Sequence, residues 1–232
     1  MFRQFMKKVH SILPAGTGKR GRTLDLLLTA AQRLLLERSA GALSITDVAA
    51  RAEVAPGTFY NYFDGVDALV DELGRLLAVH HGRLLKVAIA AAKDPVDAFA
   101  LKTRQSLRCI SESQAYGRLL FDAGLSVDRF LGGLRDDLLA DIAAGVVEGV
   151  FRSDNPKLGA SIVSGCILGV ALDLHRGRLT KAAIDDATRE MLTLLGVRPV
   201  AAERVAHAPA VFAPPPAFPL TWLSLAPAKV RS

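Results

Sequence analysis

The sequence predicts an all-α protein. Apolar residues recur at helical spacing over nearly all of its 232 residues, strand-like alternation is almost absent, and turn signals separate the periodic runs. Half of the residues are apolar and 6% are aromatic, which excludes disorder across the whole chain. A chain of this length has room for one or two buried cores.

The first run places Leu24, Leu27, Leu28, Ala31, Leu34 and Leu35 on one face. Further along, Leu131, Leu134, Leu138, Ile142 and Val146 repeat the pattern, followed by Leu158, Ile162, Cys166, Val170 and Leu174. Ala183, Ile184, Ala187, Met191, Leu194 and Leu195 form the last run. Breaks are expected at Ala40-Gly41, Asp94-Pro95, Asp154-Asn155-Pro156 and Gly177. Four parts follow: a basic extension at 1–21, a short-helix segment at 22–66, a helical body at 67–197, and a tail at 198–232. Seven of the eleven prolines lie between Pro199 and Pro227. Proline lacks an N–H and fixes φ, so the tail is expected to be disordered or extended and not helical. Its one apolar cluster is Phe218, Trp222 and Leu223.

Charge is unevenly spread. Residues 1–63 hold nine Lys/Arg against four Asp/Glu, which is +5 of the chain's formal +6. A basic head on a nearly neutral body points to a polyanionic partner at that end.

The segment from Ser44 to Phe63 carries the functional signal. Ser44 is placed to cap a short helix, with Asp47 three residues on as in a capping box. Ile45, Val48, Ala49 and Ala52 form its inner face. The helix breaks at Glu53-Val54-Ala55 and a second begins at Pro56, a residue suited to the first helical position. Two short helices about three residues apart make a helix-turn-helix. In the second helix Phe59 and Phe63, four apart, are expected to anchor in the core. Thr58, Tyr60 and Asn61 then face outward with groups that reach phosphates and base edges, and Gly57 leaves room for close approach. The candidate DNA-binding set is Arg20, Arg22, Ser44, Thr46, Pro56, Gly57, Thr58, Tyr60, Asn61 and Tyr62.

Ser44-Ile45-Thr46-Asp47-Val48-Ala49 followed by Pro56-Gly57-Thr58-Phe59-Tyr60-Asn61-Tyr62-Phe63 resembles the DNA-binding domain of the TetR family of transcriptional regulators, over roughly residues 22–75. The resemblance implies a three-helix N-terminal DNA-binding domain and a C-terminal helical domain for ligand binding and dimerisation. It further implies a homodimeric repressor on a palindromic operator in duplex DNA, released by a small effector. Three positions depart from the family pattern: Glu53 stands where Gly is usual in the turn, Ala55 where Ser or Thr caps, and Val66 where a Lys touches phosphate.

The resemblance would also place the helix around Ser161, Gly165 and Gly169 in the dimer interface, where small residues let another helix approach. For the effector, Phe99, Cys109, Tyr116, Phe121 and His175 mix apolar bulk with a few polar tips, and the apolar composition of 96–175 favours a mostly hydrophobic ligand. Arg104 and Arg108, one turn apart, either face an acidic ligand or form a solvated face.

Catalysis is not expected. The five histidines show no HExxH or paired metal spacing, Cys109 and Cys166 have no adjacent Cys or His partner, and no glycine-rich phosphate loop precedes a helix. Asp137 and Asp141, beside Arg135, read as surface. No cofactor or metal is expected. Charges interrupt each apolar run and no signal-like h-region follows the basic start, so a cytoplasmic protein without a membrane span is expected. The competing reading is a helical interaction protein whose helix-turn-helix is vestigial and whose groove binds protein partners.

Overall fold

The computed structural model describes residues 18–38, 43–125 and 127–225. Most of the basic extension, the Ala40-Gly41 turn and the last seven residues of the tail lie outside the described residues. Every regular element among those described is helical, as the periodicity requires. The chain divides into two units: Met1–His80 with Arg118–Phe130 and Pro216–Ser232, and His81–Gly117 with Leu131–Pro215.

In the first unit α1 spans Lys19–Glu37 and buries Leu24, Leu27, Leu28, Ala31, Leu34 and Leu35 as expected. Asp25 and Gln32 are buried on this helix as well. Helix α2, Ile45–Arg51, is capped by Ser44, whose Oγ accepts the Asp47 N–H at 3.1 Å and donates to the Asp47 carboxylate at 2.8 Å. Arg51 forks onto Glu37 with two 2.9 Å bonds and so ties α2 to α1. Between α2 and α3 (Pro56–Phe59), Glu53 sits at φ +56°. The left-handed region crowds any Cβ, which explains why glycine is usual at this turn. Helix α4, Val66–Ala88, buries Leu69, Leu73 and Leu76 in this unit.

The end of the chain corrects one expectation. Pro199–Ala206 is a regular helix, because Pro199 occupies the first helical position, where its missing N–H costs nothing. The described residues 208–222 form no regular helix and Leu223–Leu225 is a single 3-10 turn, but residues 216–225 are packed into the first unit instead of being free. Leu220, Trp222 and Leu225 are each at most 4% exposed. The Gln32 side chain pairs with Leu220, receiving its N–H at 2.7 Å and donating to its carbonyl at 2.8 Å. Asp25 accepts the N–H groups of Trp222 and Leu223 at 2.8 and 3.0 Å.

The second unit contains the end of α4, α5 (Pro95–Glu112), α6 (Gln114–Gly117), most of α7 (Val127–Val147), α8 (Pro156–His175), α9 (Ala183–Leu194) and α10 (Pro199–Ala206). Asp94 and Asn155 cap α5 and α8, each followed by Pro at the first helical position. The core gathers Phe99, Ile142, Phe151, Val163, Met191, Leu192 and Leu195. By length and composition helix α8 is apolar enough to cross a bilayer, the one such helix among those described. Lys157 and Asp173 lie near its ends, and a third of the stretch is buried within the protein.

Replacing Glu53 with Gly relieves the left-handed conformation and is expected to stabilise the fold by about 1 kcal/mol, net of the extra chain freedom of Gly. Urea unfolding with an unchanged slope and a higher midpoint is the expected readout; a lower midpoint contradicts this account of the turn.

Candidate functional site

The geometry of α3 follows from two aromatic anchors. Phe59 is wholly buried and Phe63 is 7% exposed, with ring centroids 5.5 Å apart. Their burial fixes the rotation of the short helix, so the residues between them are directed outward. Tyr60 is 61% exposed and Asn61 is exposed. Thr58 and Tyr62 are half-buried, and Pro56 and Gly57 are exposed. A Cβ on Gly57 would meet nothing within 4 Å, so the surface there is open to a close partner. Regular helix ends at Phe59, and tighter bonds carry the chain on: Asn61 N–H to Thr58 O at 3.2 Å and Tyr62 N–H to Phe59 O at 2.9 Å.

All ten sequence-selected DNA-binding residues belong to this first unit. Arg20 and Arg22 are exposed at the start of α1, and the Arg20 guanidinium lies 5.9 Å over the Tyr62 ring. Ser44 is used as a cap, and Thr46 is exposed one residue into α2. The nearby carboxylates are occupied by local partners. The Ser44 hydroxyl, with Arg38 at 3.1 Å, holds the Asp47 carboxyl below its ordinary range, and the Arg51 fork does the same to Glu37. Ala55 supplies no side-chain cap to α3, in line with the departure read from the sequence.

The five residues chosen for a ligand do not form one group. Phe121 belongs to the first unit, while Phe99, Cys109, Tyr116 and His175 belong to the second. Phe99 is core, packed edge-on against Phe151 at 5.9 Å. Cys109 and Tyr116 are wholly buried, and His175 is seated against Gly117, where an added Cβ would clash with the imidazole. The sequence reading missed His81, the buried partner of Tyr116. Its Nδ1 lies 2.7 Å from the Tyr116 hydroxyl and its Nε2 lies 3.0 Å from Ser106 Oγ. A neutral imidazole suits this chain, because one ring nitrogen donates while the other accepts. Burial pulls His81 down to about 4, and it pushes the Cys109 thiol up to about 11.

The two arginines do something other than either role expected of them. Arg104 is buried, bonded to Asp185 at 2.8 Å and to the Ala208 carbonyl at 2.7 Å, while Arg108 bonds Glu112 at 3.2 Å. Both guanidinium groups stack on Phe212. Asp141 pairs with Lys102, and burial raises Asp137 to about 6. Among the described residues no three His, Cys, Asp or Glu side chains group as metal ligands.

The His81 shift has a definite sign. Unfolded, the imidazole takes a proton below about pH 6.5; folded, it refuses one until about 4, so stability falls as pH drops between those values. The loss from this group is about 3 kcal/mol. Urea unfolding at pH 7 and pH 4.5 is expected to show a smaller acid loss in His81→Phe than in the parent; equal losses would contradict the assignment.

Comparison with known proteins agrees with this architecture. The model for bacterial regulatory proteins of the tetR family matches residues 27–73, and that for the tetracyclin repressor-like C-terminal domain matches residues 94–208. An HTH-type transcriptional regulator of Mycobacterium tuberculosis is 25% identical over 135 residues, covering 56% of this chain and 64% of the relative. The chain thus spans just under two thirds of the length of the curated relatives it matches. RolR, solved in complex with resorcinol, superposes with a TM-score of 0.68 at 23% identity over 83% of this chain and 97% of its own. NalD, the secondary repressor of the MexAB-OprM multidrug efflux pump in Pseudomonas aeruginosa, superposes with a TM-score of 0.62 at 18% identity, over 76% and 98%. With both family models matched in order along one chain whose described regular elements are all helical, the protein belongs to the TetR family of bacterial transcriptional regulators.

Proposed function

We propose that the protein is a homodimeric repressor that binds a palindromic operator through α3 and is released from it by a small, mostly apolar ligand. The observation that carries the DNA reading is the exposed pair Tyr60 and Asn61, with half-buried Thr58 beside them, held outward by two buried phenylalanines. In this reading Arg20, Arg22, Thr46, Tyr60 and Tyr62 contact phosphates, while Thr58 and Asn61 contact base edges and Gly57 permits close approach.

Dimerisation is assigned to α8. Leu158, Ser161, Ile162, Gly165 and Gly169 all lie on exposed positions three, four or seven residues apart, and Leu158 is 56% exposed. A Cβ on Gly165 or Gly169 would meet nothing within 4 Å, which leaves a shallow apolar strip for a second helix. The ligand is assigned to the second unit, near Cys109, Tyr116 and His175, and an aromatic alcohol of the size of the resorcinol in RolR suits the Tyr116–His81–Ser106 chain. A ligand acts only through its different affinity for the DNA-competent and DNA-incompetent states, and α4, which contributes residues to both units, is the element assigned to respond. The site of action is the cytoplasm.

Two expected outcomes test this. Tyr60→Phe lowers affinity for all duplexes alike, whereas Asn61→Ala costs about 1–3 kcal/mol on the operator alone. The parent's log affinity falls with log salt at about −0.9 per phosphate neutralised. Unchanged operator affinity in both variants rules out α3 as the reader. For induction, an effective phenol weakens operator binding by about 5- to 150-fold in the parent. Because Tyr116 is wholly buried, Tyr116→Phe is the informative variant: it keeps the ring, binds operator normally and responds less. An undiminished response removes the hydroxyl from recognition.

A further inference from the structure

We propose that the C-terminal segment Leu220–Leu225 is a working part of the DNA-reading unit, and that Asp25, Gln32, Glu72 and Trp222 are positioning residues for operator recognition. The proposal rests on the DNA-binding reading of the first unit, to which all of these residues belong. It concerns residues that touch no DNA in that reading and that neither family model covers at the C-terminal end, since the second match stops at residue 208.

The segment grips two helices at once. Along α1, Gln32 forms its reciprocal pair with Leu220, and two turns earlier Asp25 takes the N–H groups of Trp222 and Leu223. Gln32 and Asp25 are seven residues apart, so they share one face of α1 and hold the segment along it. On α4, the Trp222 indole N–H donates to Glu72 Oε1 at 2.9 Å. Arg75 forks back onto Glu72 at 2.9 and 2.6 Å and lies 4.8 Å over the indole ring. His80 Nε2 lies 3.2 Å from the Thr221 carbonyl. Trp222 thus binds α1 through its backbone and α4 through its side chain.

These two helices flank the helix-turn-helix in sequence: α2 and α3 lie between Gln32 and Glu72. The phosphate-contacting candidates Arg20 and Arg22 ride on α1, and α4 begins three residues after the Phe63 anchor. A clasp that fixes α1 against α4 therefore fixes the arginines relative to α3. The grip is also polar and buried: Asp25 is 5% exposed and Gln32 2%. Detaching the segment strips their partners and uncovers Leu220, Trp222 and Leu225 together.

The test compares the full chain, a chain ending at Pro215, and the point variants Gln32→Ala, Glu72→Ala, Trp222→Ala and Trp222→Phe. All are assayed at 10 °C on an operator selected by the parent, with the helical dichroism of each checked in the same buffer. The expected result is an operator affinity at least tenfold lower for the truncation, Gln32→Ala and Trp222→Ala, with a smaller loss on unrelated duplex. Trp222→Phe, which keeps the buried ring and the backbone N–H, recovers most of the affinity. A synthetic peptide spanning residues 216–232 restores binding to the truncated chain. If the truncation fails to fold, Gln32→Ala, which keeps the whole segment, decides the matter by its tenfold loss, and Glu72→Ala, which removes the indole contact that Trp222→Phe also gives up, is expected to lose as little as Trp222→Phe. Variants that melt earlier yet bind the operator like the parent when folded overturn the proposal, as does tighter binding. A parent that selects no operator defeats the DNA-binding reading itself, and is thereby distinguishable from failure of the clasp.

Discussion

The burial of Phe59 and Phe63 is the constraint on which the account of the reader depends. Helix α3 is too short to hold its orientation by its own hydrogen bonds, and Ala55 gives it no side-chain cap. Two aromatic rings in the core, each contributing roughly 1.5–3 kcal/mol of transfer energy, supply what the helix lacks. Once they are seated, Tyr60 and Asn61 have no direction open to them but outward. The turn before α3 is built at some cost, with Glu53 in a left-handed conformation that glycine would adopt freely. The fork between Arg51 and Glu37 and the cap at Ser44 keep α2 in place beneath this turn.

Polar groups in the interior divide into two kinds. Those of the first unit, Asp25 and Gln32, are matched to the backbone of a distant segment, at a separation of 188 residues for Gln32 and Leu220. Such pairs specify which segment docks and in which register, because an unmatched carboxylate or amide in the same place would be costly. The second unit has both kinds: Gln105 pairs reciprocally with the backbone of Ala213, and Ser106, His81 and Tyr116 form a side-chain string. Its hydroxyl and imidazole groups are the polar groups named in the ligand proposal. Arg104, by contrast, is committed to Asp185, Ala208 and Phe212, and acts as internal structure.

Much of the architecture was legible in the sequence because it rests on local signals. The apolar face of α1, the Ser44 cap, the start of α3 at Pro56 and the two phenylalanine anchors each depend on spacings of three or four residues. Glu53 was legible too, as a non-glycine residue at a position where the family uses glycine. What was not legible depends on contacts distant in sequence. The proline content of the tail agrees with the lack of α-helix among the described residues beyond Ala206 but says nothing of docking, in which Asp25, Gln32 and Glu72 far upstream take part. Two polar residues on the otherwise apolar face of α1 were the available signal. Pro199 departs from the proline-rich character of the tail, because a single proline at a first helical position favours a helix. His81 carried no sequence signal, since its partners lie 25 and 35 residues away.

Selecting bound sequences from a random duplex pool with the full-length chain tests the central claim most directly. The account predicts an enriched palindrome whose half-site centres lie about one helical turn apart, roughly 34–36 Å, as two α3 helices entering successive major grooves require. The same selection run with Asn61→Ala should lose or change its preference at one symmetric position in each half-site. A pool that returns no enriched sequence, or a motif without two-fold symmetry that Asn61→Ala leaves unaltered, would contradict the account.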